Sequence, residues 1–138
     1  MAHLLFDTNI LIDAALPTRP ESDEACEAMR ICNNGSGNMG FVTPNSLSDA
    51  YYVLQRYMSE EEARNAIVRF MGMLIIAPLS AEHCDMSVHG SEPDFDDGLI
   101  MAAAELEDID FILTRDKAAF QKSKVRSVTA AESLEIAG

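Results

Sequence analysis

Aspartate dominates the chemistry open to this chain. Asp7 closes the apolar run His3-Leu-Leu-Phe6, and Asp116 lies two residues beyond another, Phe111-Ile-Leu-Thr114. Asp49 and Asp97 stand near the starts of helical patterns. In open α/β sheets, ligands bind beyond the carboxyl ends of the strands. Four acids far apart in sequence can therefore meet at one edge of a sheet. Carboxylates brought together repel strongly at low dielectric unless a cation neutralises them. Hard oxygen donors, with no histidine or thiol among them, suit Mg²⁺ or Mn²⁺. Such an ion activates water and stabilises charge growing on a phosphate, so the pattern points to phosphoryl or phosphodiester chemistry.

Each acid also has a local explanation. Asp7 in Asp7-Thr8-Asn9 reads as an N-cap, and Asp49, three residues after Ser46, as the acidic half of a capping box. Asp94 is a good N-cap for the helix that follows, with Asp96 solvated and Asp97 a first-turn acid favoured by the helix dipole. Asp116 fits a simple turn. The joint pattern carries weight that no single position does.

The elements that must position these acids alternate. Short apolar runs at His3–Asp7, Phe41–Thr43, Leu74–Ala77, Phe111–Thr114 and Val125–Val128 read as strands. Between them, helical periodicity covers Asn9–Ala15, Glu21–Cys32, Pro44–Met58, Ser59–Met71, Ser80–His89 and Asp97–Glu107. Ser59 with Glu62, and Thr129 with Glu132, form capping boxes, the second opening a closing helix. Residues 33–40 form a glycine-rich loop, and an acidic turn spans Gly90 to Asp96. The expected fold is α/β: a mostly parallel sheet of about five strands with helices on both faces.

Bulk properties limit the alternatives. A chain of 138 residues with 48% apolar content suits one domain spanning residues 1–138. No apolar run approaches the ~18–20 residues that span a bilayer, and the N-terminus lacks the pattern of a signal peptide, so a cytoplasmic location is expected. Cys26, Cys32 and Cys84 show no metal or disulfide spacing and are expected to be reduced, with Cys26 and Cys32 as packing residues. The formal charge of −13 argues against a protein that grips nucleic acid over its whole surface. Half of the ten basic residues, however, fall just after the fourth strand: Arg115, Lys117, Lys122, Lys124 and Arg126.

Four segments resemble the motifs of PIN domains, in order and across nearly the whole chain: Leu4-Leu-Phe-Asp7-Thr8-Asn9-Ile-Leu-Ile-Asp13, Thr43-Pro-Asn-Ser46-Leu-Ser-Asp49-Ala, Pro93-Asp-Phe-Asp-Asp97-Gly-Leu-Ile-Met-Ala-Ala-Ala104 and Phe111-Ile-Leu-Thr114-Arg115-Asp116-Lys-Ala-Ala-Phe120. The resemblance implies a three-layer PIN-like fold and a divalent-metal endoribonuclease of the VapC type. On that basis Asp7, Asp97 and Asp116 hold Mg²⁺ or Mn²⁺, and Asp49, where the family usually carries glutamate, completes the acidic pocket. Thr8, Asn9 and Thr114 are candidates to orient carboxylates or a bound water, with Asp94 in support. The five clustered cations are the candidate RNA contacts. The resemblance further implies a homodimer and an antitoxin partner, which the acidic surface would suit if that partner is basic.

Other readings fit less well. A receiver domain needs a phosphoacceptor ending the third strand, and Leu74-Ile-Ile-Ala77 has no acid. A haloacid-dehalogenase-type phosphatase needs Asp-x-Asp where Asp7-Thr8-Asn9 stands. The remaining alternative is a PIN fold that binds without catalysing. Tyr51, Tyr52, Leu54, Tyr57 and Met58 crowd one helix beyond what a single buried stripe requires, leaving a surplus for an interface.

Overall fold

The computed structural model describes residues 1–90 and 94–138. The acidic turn expected between Gly90 and Asp96, with Pro93, lies partly outside the described residues. Five strands form one sheet: β1 (His3–Phe6), β2 (Met39–Val42), β3 (Ile75–Ile76), β4 (Phe111–Leu113) and β5 (Arg126–Val128). Their order is β3-β2-β1-β4-β5, and all four pairings are parallel. The helices are α1 (Thr8–Ala15), α2 (Ser22–Arg30), α3 (Pro44–Leu54), α4 (Glu60–Met73), α5 (Ala81–Val88), α6 (Phe95–Leu106) and α7 (Ala130–Ala137). A short 3-10 helix, Lys117–Phe120, follows β4 and was not legible as an element.

Successive strand side chains point to opposite faces, and the core divides accordingly. Leu4 and Phe6 of β1, Val42 of β2 and Leu113 of β4 join one cluster with α1, α2, α3, α4 and α7. Leu5, Phe41 and Ile112 join the other, with Ile100, Ala103 and Ala104 of α6 and with Phe120. Strands buried on both faces read as continuous apolar runs, as in His3-Leu-Leu-Phe6. The sheet is thus the middle of three layers.

Several boundaries differ from the sequence reading for local reasons. α3 stops at Leu54, because the next residues turn back through Tyr57 N–H and Met58 N–H onto the Leu54 carbonyl. Ser59 then caps α4 by accepting the Glu62 N–H at 3.1 Å. α3 starts at Pro44 with Thr43 at its cap position, so Ser46 lies inside the first turn, where it accepts the Thr43 hydroxyl, and the box expected between Ser46 and Asp49 does not form. β3 is only two residues long, with Ile75 and Ile76 exposed on the sheet edge and Leu74 and Ala77 buried beside it. Cys26 is exposed rather than packed, while Cys32 is half-buried, and all three thiols are free.

The pairing of α5 with α6 depends on one missing side chain. A Cβ on Gly98 would overlap the Ser87 hydroxyl, which donates to the Phe95 carbonyl at 2.7 Å. The glycine beside Asp97 therefore lets α5 approach the first turn of α6 and fix its position. Gly98→Ala should separate the two helices and lower stability by ~1–3 kcal/mol, read from the urea unfolding midpoint; a native midpoint would show that the contact relaxes freely.

Candidate active site

All strands run in one direction, so their carboxyl ends share one edge. From β1 the chain moves to β2 on one side and returns to β4 on the other, so the β1–β4 boundary is a topological switch point, where open sheets leave a crevice. A cleft of about 340 Å³ lies at these chain ends, lined by Asp7, Thr8, Asn9, Ile12, Asp49, Asp94, Asp96, Asp97, Ile100, Asp116 and Ala119. Six of the eleven are aspartates, and no basic residue is among them.

Rigid elements hold the centre of this cleft. The Asp7 N–H donates to Leu113 O at 2.9 Å, and the Thr114 N–H donates to Val128 O at 2.9 Å, extending the sheet ladder past both strand ends. Thr114, fully buried, donates its hydroxyl to Asp7 Oδ2 at 2.7 Å and accepts the Asp116 N–H at 2.9 Å. One hydroxyl thereby fixes both the carboxylate after β1 and the main chain of the acid after β4. Phe120, buried in the core, anchors the 3-10 helix that follows.

Three of the acids also cap helices. Asp7 accepts the Thr8 N–H at 2.8 Å at the start of α1. Asp94 accepts from Asp96 and Asp97 N–H at the start of α6, and Asp116 accepts the Ala119 N–H at 3.3 Å in the 3-10 helix. The local reading of Asp7 and Asp94 as caps therefore holds alongside their place in the cleft. The positive ends of the α1 and α6 dipoles offset part of the negative charge.

The offset is incomplete. Burial pushes the Asp7 carboxyl above its ordinary value against the opposing bonds from Thr114 and the Thr8 N–H, with the charges of Asp116 and Asp94 adding to the rise. Asp49, half-buried on α3, is pushed up to about 6 by partial burial, then by the charge of Asp96 and a hydrogen bond with it, and by Asp94 and Asp7. Asp97 is half-buried in the first turn of α6. Among the described residues, no three acid, imidazole or thiol side chains stand close enough to hold a cation as they are placed. The carboxylates line the cleft walls without converging on a point. The donor set is nevertheless all oxygen, which fits a hard divalent ion that keeps several waters.

The supporting residues are distributed differently from expectation. Asn9 bonds elsewhere than Asp7: its Oδ1 accepts the Arg115 N–H at 3.3 Å and steadies the loop to Asp116. Thr8 lines the cleft and contributes its N–H to Asp7. The five clustered cations do not face the cleft together. Arg115 turns to Asp13, Lys117 bridges to Glu132 at 2.9 Å, and Lys122 lines a separate recess between α5 and α6. Lys124 is exposed. Arg126 pairs with Phe111 at the start of β4, the opposite edge of the sheet from Asp116.

Asp13 is the residue whose importance sequence reasoning missed. It is fully buried on α1 and accepts from Arg115 Nε at 2.6 Å and Arg19 Nη1 at 3.3 Å. The available signal was a charge inside the otherwise apolar run Ile10-Leu-Ile-Asp13.

A parallel α/β domain with an all-oxygen acidic cleft at its switch point defines the class of protein. Its kinship is specific: the chain belongs to the PIN domain family, whose model matches residues 3–118. Solved structures share the fold. VapC20 of Mycobacterium tuberculosis superposes with a TM-score of 0.71 at 14% identity, covering 91% of this chain and 98% of its own. VapBC2 of Rickettsia felis gives 0.68 at 16%, covering 92% and 98%. FitAcB of Neisseria gonorrhoeae gives 0.59 at 16%, covering 93% and 98%. No curated protein sequence matches significantly.

Two outcomes follow from this electrostatic arrangement. The folded protein binds the Asp49 proton more tightly than the unfolded chain does, since the carboxyl moves from 3.8 to about 6. Its contribution to stability is thus present below 3.8 and lost as pH rises through about 6. Without divalent ions at pH 7, Asp49→Asn should raise Tm by about 2–4 °C and flatten the fall in stability with pH; a lower Tm would show that the carboxylate stabilises the fold. Asp13→Ala removes the shared partner of two partly exposed arginines and should cost ~1–3 kcal/mol by urea denaturation, against no loss if the pairs carry no net energy.

Proposed function

We propose that this protein is an Mg²⁺- or Mn²⁺-dependent endoribonuclease hydrolysing RNA phosphodiester bonds. The observation that carries the reading is the shared Thr114 hydroxyl, which fixes Asp7 and the Asp116 main chain within a cleft of six aspartates. Asp7, Asp97 and Asp116 are the residues proposed to hold the ion, with Asp49 closing the acidic wall opposite β1. The ion, when bound, supplies an activated water and stabilises charge on the phosphate. Thr114 keeps the Asp7 carboxylate from rotating, Asn9 restrains the Arg115–Asp116 segment, and Asp94 fixes the first turn of α6 that carries Asp97. Ile12, Ile100 and Ala119 form the apolar part of the lining.

Substrate and partners come from likeness and charge. VapC20 is described as a toxin that cleaves the sarcin-ricin loop, and VapBC2 was solved with a DNA fragment from its promoter. By that likeness we assign RNA as the substrate class and a toxin of a toxin–antitoxin pair as the biological role. A net charge of −13 favours an antitoxin with a basic contact segment. A homodimer is proposed over the apolar groove between α3 and α4, where Tyr51, Ile67 and the 65%-exposed Val68 meet. Among the described residues no helix is long and apolar enough to cross a membrane.

Asp7→Asn tests the reading. Asn retains the capping oxygen while removing the charge, so RNA cleavage in Mg²⁺ or Mn²⁺ should fall by at least ~100-fold with Tm unchanged or raised. Native cleavage by the folded variant would refute the assignment. Calorimetric titration with Mn²⁺ separates the enzyme from a non-catalytic binding fold, which would take up the ion poorly.

A further inference from the structure

An acidic cleft needs a separate grip on its polyanion, and the cations clustered after β4 do not line it. Three other arginines lie over tyrosine rings: Arg19 over Tyr57 at 5.9 Å, Arg56 over Tyr52 at 5.9 Å and Arg64 over Tyr51 at 5.5 Å. Two of these cations already hold carboxylates: Arg64 pairs with Glu60, and Arg19 shares Asp13 with Arg115. Among the described residues Arg56 has no carboxylate partner, and its ring partner Tyr52 is 67% exposed.

The position of this pair on α3 matters. Asn45, Asp49 and Tyr52 are spaced by four and three residues, which on a 3.6-residue helix puts them along one face, and Arg56 follows in the turn after it. Asn45 Nδ2 donates to Asp96 Oδ1 at 3.4 Å, and Asp49 lines the cleft. The stripe therefore starts at the acids proposed as catalytic and runs outward, with Arg56 just past the helix end, its guanidinium 5.9 Å from the Tyr52 ring centre. The separation from Asp49 to Arg56 along the axis is about 10 Å, within reach of a nucleotide next to the one being cut.

Resting on the nuclease reading, we propose that Tyr52 and Arg56 form a nucleotide-binding step at the rim of the cleft. Tyr52 stacks an unpaired base and Arg56 holds the adjacent phosphate. An exposed aromatic face accepts any base but only an unstacked one, and an arginine beside it contributes charge and stacking. The step therefore takes an unpaired base, and a continuous duplex, whose bases are already stacked, fits it poorly.

The test is the initial fluorescence anisotropy of a short labelled single-stranded RNA, and of its duplex, with the full chain in Mg²⁺. Tyr52→Ala should raise Kd about tenfold, the effect of losing one stacked base, whereas Tyr52→Phe should bind as the native protein does. Arg56→Gln should raise Kd and reduce the salt slope by ~0.7, one single-strand phosphate contact. The triple variant Lys122→Gln, Lys124→Gln, Arg126→Gln should leave affinity unchanged, and the duplex should bind weakly throughout. Native affinity in both Tyr52→Ala and Arg56→Gln overturns the proposal, as does loss confined to the triple variant. A change only in self-association, seen by sedimentation, assigns the stripe to a protein interface and overturns it too. Intact, Tyr52-dependent binding without any cleavage would instead leave the step standing and remove the nuclease reading, while absence of RNA binding by the native protein removes both.

Discussion

The hydroxyl of Thr114 donates to one aspartate and accepts from the main chain of another, and the cleft is organised around that pair of bonds. A hydroxyl can do both because it has one proton and two lone pairs. Its own position is set by the β4–β5 ladder, and Asp7 by the β1–β4 ladder, so the site inherits the rigidity of the sheet. Loops alone would not hold like charges together. Parallel strands do so by ending side by side, whatever the side chains prefer.

That geometry creates a standing electrostatic cost. Six aspartates line the cleft without an arginine or lysine among its lining residues. The fold moderates the repulsion with helix N-termini and with the raised proton affinity of Asp7 and Asp49. A divalent cation held at the proposed site would bind the folded state alone and raise stability by mass action. The same physics sets the ionised Asp49 carboxylate against folding, so stability must come from the two apolar layers.

Positive charge has been allotted with equal specificity. Arg115, next to a proposed metal ligand, faces inward to Asp13 and shares it with Arg19. Buried carboxylates leave heavy penalties when stripped of partners, so this arrangement ties α1 to the loop carrying Asp116. Lys117 joins that same loop to α7 through Glu132, whose carboxyl is lowered to about 2 by the Thr129 N–H and by Lys117. Cations close in sequence to an acid thus serve to brace it. Arg56, remote in sequence, has no carboxylate partner among the described residues and lies beside the exposed Tyr52 ring.

Local pattern was enough for the fold class, because apolar runs of strand length and helical periodicity reflect burial on two faces of a sheet. The capping box at Thr129 and Glu132 was legible for the same reason: its bonds close within four residues. The aspartates were legible as candidates through their places after strands and at helix starts. What tertiary structure decided was every relation across the chain: that Asn9 holds Arg115 and not Asp7, that Asp13 anchors two arginines, and that Arg126 lies on the far edge from Asp116. Neighbouring residues in a sequence can occupy opposite edges of a sheet a few residues apart, since a strand crosses the molecule at about 3.3 Å per residue. Spacing fixes a side chain's face; only strand order and register fix its neighbours.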